Sequence, residues 1–294
     1  MVSRITNLTI QRSSLANLQV NLQNVSDLQA QLSSGKKVTK ASDDPAAAAQ
    51  LLSLRGEQTR NAQYTRNSAD ATSWLSTVDT ALQTSSTTLR RARDLVIQGG
   101  NTGLSQISKD ALATEIDGIK NSMMGVANTT YLGRTVFAGT SDAGAAFDST
   151  TYAWNGVAAA SVTRQVADAT AVRVDSNGSA VFGVGSTSVF ATLDKISATL
   201  RAGGNPTAQL AELDGHITDV KTELASVGAR ENQVEAASTE LIDKEASVKT
   251  QMSGIEDIDL ASVILSLQSA NVTYQAALGA TSKALSPTLM EYLR

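Results

Sequence analysis

The sequence predicts a mainly α protein, a long antiparallel helical bundle or coiled coil formed by both chain ends, with a small β-rich domain inserted. Three observations predict it. Apolar residues recur at heptad spacing near both ends. Aromatics make up only 4% of the 294 residues, which suits long helices packed through Leu, Val, Ile and Ala better than a compact mixed core. Between residues 138 and 190 the helical period gives way to Gly, Ala, Ser and Thr with a short period-two alternation.

The first helical pattern holds Leu8, Leu15, Leu18, Leu22, Val25 and Leu32 at a/d spacing, with Gln11 and Gln29 as polar interruptions. Its polar face is Asn, Gln, Ser and Thr, and residues 1–34 carry three charges, Arg4, Arg12 and Asp27. Ser33–Ser34–Gly35 breaks the pattern. A second begins at Pro45, a residue favoured at the first helical position. From Trp74 it continues through Leu75, Val78, Leu82, Leu89 and Val96, and Gly99–Gly100 supplies a stop. A third uses Leu112, Ile116, Ile119, Met123 and Val126 and ends near Gly133.

The fourth pattern is the strongest. From Leu210 to Ile255, eleven of fourteen heptad positions are apolar, the exceptions being Glu231, Ser238 and Glu245. Such a helix would be about 70 Å long at ~1.5 Å per residue. An apolar stripe of that length needs other helices against it. The last helix reads Leu260, Ile264, Leu267, Asn271, Tyr274, Leu278, Thr281 and Leu285, and residues 260–294 again carry three charges, Lys283, Glu291 and Arg294. In the insertion, Val162/Arg164/Val166 alternate, and Val172/Val174 lead into the turn signal Asp175–Ser176–Asn177–Gly178, followed by Val181–Phe182–Gly183–Val184. The expected domains are therefore 1–40 with 255–294 as terminal coiled-coil helices, 41–137 with 191–254 as a helical bundle, and 138–190 as the insertion.

No residue set calls for catalysis. The paired carboxylates Asp43 and Asp44 precede Pro45, where Asp44 serves as a helix N-cap and Ser42 and Asp43 close the turn before it. No base or nucleophile is placed to complete a catalytic set around them. His216, the one histidine, reads as a helix-surface residue, and a metal site would lack ligands. Arg90, Arg91 and Arg93 read as a solvated helix face. Trp74 reads as a core or interface anchor. Asn7, Asn24, Asn128, Asn177 and Asn271 begin Asn-x-Ser/Thr triplets, of which Asn177 alone lies in an expected exposed turn. No cysteine is present, so disulfides and thiolate chemistry are excluded. A net charge of −4 argues against nucleic acid as a partner. No stretch has the length of a membrane helix or an apolar signal-peptide core, so no membrane insertion is expected and any export proceeds without a cleaved signal. Neither catalytic, cofactor nor metal residues are expected.

Specific segments carry a resemblance. They are Gln31–Leu32–Ser33–Ser34–Gly35–Lys36–Lys37–Val38, Ser42–Asp43–Asp44–Pro45–Ala46–Ala47, Gln63–Tyr64, Trp74–Leu75, Asp79–Thr80–Ala81–Leu82, Ala127–Asn128–Thr129 and Gly133–Arg134–Thr135–Val136–Phe137–Ala138–Gly139–Thr140. Val227–Gly228–Ala229–Arg230–Glu231–Asn232, Ile255–Glu256–Asp257–Ile258–Asp259–Leu260 and Tyr274–Gln275–Ala276–Ala277–Leu278 complete the set. Together they resemble the flagellin superfamily, and within it the hook-associated proteins of the hook–filament junction. Filament flagellins typically follow the Asp pair with Ala-Gly, whereas this chain has Pro45–Ala46. Ala41 and Thr135 depart from the family pattern, and Pro287 is expected to turn residues 288–294 off the helical axis.

The resemblance implies a structural adaptor of the bacterial flagellum, not an enzyme, that joins the hook to the flagellin filament. A minor flagellin is the alternative. It implies as partners the other hook-associated junction protein (junction protein 1), flagellin, copies of itself in a ring, and a cytoplasmic export chaperone on the C-terminal helix. It implies type III export without a cleaved signal to an extracellular place on the flagellum. The terminal helices would line the inner tube, with the insertion facing outward. The subunit-interface residues on those helices would be Leu15, Leu18, Leu22, Val25, Leu32, Leu260, Ile264, Leu267, Tyr274, Leu278 and Leu285. Helices with so few charges are marginal alone, so residues 1–35 and 260–294 are expected to be mobile in the free monomer and to order on assembly.

Overall fold

A computed structural model describes residues 7–285 of the chain. Pro287 and residues 288–294 lie outside the described residues. So does the side chain of Leu285. The helices are α1 (Asn7–Ser34), α2 (Pro45–Gly99), α3 (Gln106–Ala127), α4 (Gly178–Phe182), α5 (Val189–Arg201), α6 (Leu210–Glu256) and α7 (Leu260–Leu285). Two antiparallel ribbons lie between α3 and α4: β1 (Thr130–Tyr131) with β2 (Arg134–Thr135), and β3 (Thr163–Ala167) with β4 (Thr170–Arg173). The mainly α class, with both ends helical and the little sheet confined to the middle, is the one the sequence predicts.

The chain divides into two compact units, residues 1–59 with 245–294 and residues 60–244. In the first, α1 lies against α7. The turn after α1 meets the turn before α7: Ile258 N–H donates to Gly35 O at 3.2 Å and Lys37 N–H to Glu256 O at 2.6 Å. The two helices therefore run antiparallel away from that junction. Gly35 sits at φ +70°, the left-handed conformation that closes a helix C-terminus, and its N–H donates to Gln31 O at 2.8 Å. Among the described residues of this unit, the buried apolar side chains are Val25, Val38, Leu51 and Val248.

The second unit has the opposite character. Its core runs from Ala71 and Trp74 on α2, through Leu112, Ile116 and Met123 on α3 and Leu193 and Ile196 on α5, to Leu213, Val220, Val227 and Val234 on α6. All four phenylalanines of the chain meet in it. Phe137, Phe147, Phe182 and Phe190 pack with centroid separations of 5.2–6.1 Å, three of the four ring pairs edge-on. Trp154 Nε1–H donates to Phe137 O at 2.8 Å. Gly178 lies so close that a Cβ there would stand 2.6 Å from Phe137 O. The scarce aromatics thus supply a compact core to the inserted segment, where no long helix can.

Several local expectations change. Residues 181–184 do not continue as a strand. Asn177 Oδ1 accepts from Ser179 N–H at 3.1 Å and starts α4. Asn177 is therefore a half-buried cap whose neighbours Ser176 and Gly178 are buried, not an exposed turn. The hairpin β1–β2 falls before residue 138. Helix α5, which no heptad pattern marked, packs on α3. His216 is not a surface residue. It is buried on α6 with Nε2 3.3 Å from Thr192 Oγ1 and no partner for Nδ1, and burial lowers its pKa. Of the three arginines, Arg91 reaches Glu115 on α3 and Arg93 reaches Asp214 on α6, each at 2.7 Å.

Candidate assembly surface

Helix α2 starts where its backbone finds a partner. Asp44 Oδ1 accepts from the N–H groups of Ala46 and Ala47, both at 3.0 Å, and Pro45 stands at the first helical position. Asp43 turns the other way. Its Oδ2 accepts from Lys40 N–H at 2.8 Å, Thr39 Oγ1 at 2.9 Å and Thr39 N–H at 3.1 Å. These bonds, the Lys40 amide first, hold its pKa below the ordinary carboxylate value. The two carboxylates thus fold residues 39–47, and both are occupied by backbone amides rather than poised for proton transfer.

The same loop contains a charged clamp that the sequence did not single out. Glu256, at the end of α6, is buried, and its Oε1 accepts from Lys36 Nζ and, at 3.1 Å, from Arg55 Nη2. The Lys36 ammonium is the main cause of a lowered Glu256 pKa, against the opposing effect of burial. Lys36 and Asp257 also form an antiparallel backbone bridge. The signal available in the sequence was position: Lys36 and Glu256 flank the two breaks that must meet if the end helices run antiparallel.

Beyond the clamp, α1 and α7 bury little of their stripe. On α1, Val25 is buried and Leu18 and Leu32 are half-buried, whereas Leu15 and Leu22 remain more than half exposed. On α7, Leu267 and Tyr274 are half-buried, and Leu260, Ile264 and Leu278 are exposed. Heptad spacing overlooked Val20, Leu265 and Val272, which are exposed at 59%, 69% and 66%. A shallow groove between the two helices is lined by Asn21, Asn24, Leu28 and Gln31 on one side and Leu265, Ser269 and Thr273 on the other. Large apolar side chains in water beside amides and hydroxyls form a surface that gains free energy when other helices cover it, about 25 cal/mol per Å² of apolar area removed from water.

Among the described residues, no group of His, Cys, Asp and Glu could hold a metal ion, and no helix is long and apolar enough to cross a membrane.

The bacterial flagellin N-terminal helical region matches residues 5–142, and the bacterial flagellin C-terminal helical region matches residues 210–293. Flagellar hook-associated protein 3 of Salmonella typhimurium is 32% identical over 279 residues, 86% of each chain. A flagellin of Bacillus subtilis is 28% identical over 264 residues, 84% of each chain. The solved flagellar hook-associated protein from Vibrio parahaemolyticus superposes with a TM-score of 0.68 at 23% identity, covering 73% of this chain and 100% of that one.

Proposed function

The chain belongs to the flagellin superfamily, in the family of flagellar hook-associated protein 3, and on that premise we propose that it is the adaptor that joins the hook to the filament. It is a structural part of the bacterial flagellum and not an enzyme. One face would meet the other hook-associated junction protein and the opposite face the first flagellin subunits, with copies of the chain side by side in a ring.

The observation that carries this reading is the uncovered apolar stripe on α1 and α7. Leu15, Leu22, Leu260, Ile264 and Leu278 have too little of their own chain around them, while the residue 60–244 unit has a continuous buried core of its own. Assembly then supplies the missing neighbours, and folding of the terminal helices is completed by binding. Contacts between unlike faces propagate around and along a tube, whereas a two-fold contact would close on itself. Export would deliver the chain unfolded to the outer end of the structure, with a chaperone covering the α7 stripe beforehand. The residue 138–190 segment, with its own phenylalanine core, would face outward.

Immunogold labelling of intact flagella with antibody to residues 140–190 tests the placement. A single band where hook meets filament is expected. Label along the whole filament would favour a minor flagellin, the reading supported by the long flagellin match, and unlabelled flagella would overturn both.

A further inference from the structure

The turn between β1 and β2 is strained and apolar at once. Leu132 holds φ +49° and Gly133 φ +79°, the left-handed pair of a tight hairpin turn in which Asn, Asp or Gly would be comfortable. Leu132 is also 82% exposed. A branched side chain in this conformation costs strain and gains no burial within its own chain. The hairpin beneath it is firmly held. Tyr131 packs on Trp74 at 5.2 Å, its hydroxyl lies 3.1 Å from Asp70 Oδ1, and Val136 N–H donates to Thr129 O at 3.1 Å. The tip is a fixed knob.

A matching recess runs along the seam of α2 and α3. Ala81, Ile119 and Val126 line two successive stretches of it. The rest is largely threonine, and these hydroxyls are engaged. Thr77, Thr80, Thr84, Thr87 and Thr88 each donate to the carbonyl four residues back at 2.7–3.0 Å. With Oγ1 bonded to the backbone, each hydroxyl has its proton engaged within its own helix, so a stretch that reads as polar has fewer open donors than its sequence suggests. Gly118 leaves it open, since a Cβ there meets nothing within 4 Å. Glu115, at the edge, holds Arg91 through Oε1, which leaves Oε2 as the acceptor that the exposed Arg134 following the knob would use.

We propose that Leu132 of one copy of this chain seats in the α2–α3 threonine groove of the next copy. The inference rests on the reading of the chain as one of several copies at the junction. The knob stands beside the Asp70–Trp74 level of α2, and the groove spans Ser76 to Arg91 on the same helix. Their centres are offset by about 17 Å at ~1.5 Å per residue. Knob and groove are unlike patches of one surface, so the contact is heterologous and repeats from copy to copy.

The chain has no cysteine, which makes thiol cross-linking clean. Full-length chain with Leu132→Cys and Gly118→Cys is expressed in flagellated cells, and detached flagella are treated with a short bis-maleimide. A ladder of dimers, trimers and higher species is expected from the double variant and none from either single one. Dimers from Leu132→Cys alone, or links from it to another flagellar protein, overturn the contact, as does a recovered chain that does not link. Absence of even the cysteine-free chain from detached flagella overturns the junction reading and this contact with it. A second variant, Leu132→Asn, is expected to keep or raise the melting temperature of the isolated chain while its incorporation into flagella falls several-fold. Unchanged incorporation would also overturn the proposal.

Discussion

Replacing Glu256 with Gln keeps the size of the side chain and removes the charge that Lys36 and Arg55 meet. Glu256 is only 6% exposed at its side chain, whereas its partners are about half in water. A hydrogen bond to a buried charge contributes roughly 1.5–3 kcal/mol, and exposure of the partners brings this toward the ~1 kcal/mol of surface pairs. The expected loss for the two bonds together is about 1–2 kcal/mol, a factor of roughly 5–30 in a local opening equilibrium. Hydrogen exchange reads it directly, because the Lys37 and Ile258 amides close the junction beside the carboxylate. Both should exchange faster by about that factor, while amides in the residue 60–244 core stay unchanged. The double-mutant cycle with Lys36→Met should return a coupling of about 1 kcal/mol. The pH dependence has a defined sign. The folded pKa of Glu256 is lowered, so its contribution is fully present above the unfolded value near ~4.3 and is lost as pH falls through the folded value. Unchanged exchange in Glu256→Gln, with zero coupling to Lys36, would refute the clamp.

His216 is buried with a lowered pKa, so the unfolded chain binds its proton first. Stability of the 60–244 unit should fall as pH drops below about 6.5, and His216→Gln should flatten that slope in thermal melts taken from about pH 8 to pH 5. Leu265→Asp, on the exposed face of α7, should shift the stability of the isolated chain by less than about 0.5 kcal/mol, yet block incorporation into flagella; normal incorporation would remove α7 from the assembly surface. Phe182→Ala, at the centre of the ring cluster, should destabilise the 60–244 unit by roughly 3–5 kcal/mol in denaturant titration, and a loss under about 1 kcal/mol would mean that the cluster is not a core.

The long helices were legible because their signal is local. A 3.6-residue turn repeats the same face every three or four positions, and this period is present before the chain folds. The start of α2 was legible for the same reason: Asp44 and Pro45 act on amides two or three residues away. Helix α5 escaped because it has 13 residues, with Thr192 and Ser197 buried among its apolar positions. Strands β1 and β2 have two residues each, too few for an alternation. The burial of His216 was within reach of the spacing, since it stands three residues after Leu213 and four before Val220, on the face that α6 buries. Its polar identity concealed that position.

From its residues alone, this chain determined helical ends of matching character, the breaks between them and the absence of thiol chemistry. Which apolar residues those helices cover was decided only in three dimensions. Leu22 and Val25 belong to one stripe, yet Val25 is buried and Leu22 is left in water. Glu256 found Lys36 across 220 positions of chain. The threonine hydroxyls of α2 were engaged only when they turned to the backbone carbonyls of the preceding turn. Periodicity states which faces need covering. It is silent about which neighbour arrives, because that neighbour is brought by contacts between residues far apart in the chain, and here the remaining neighbours would come from other subunits.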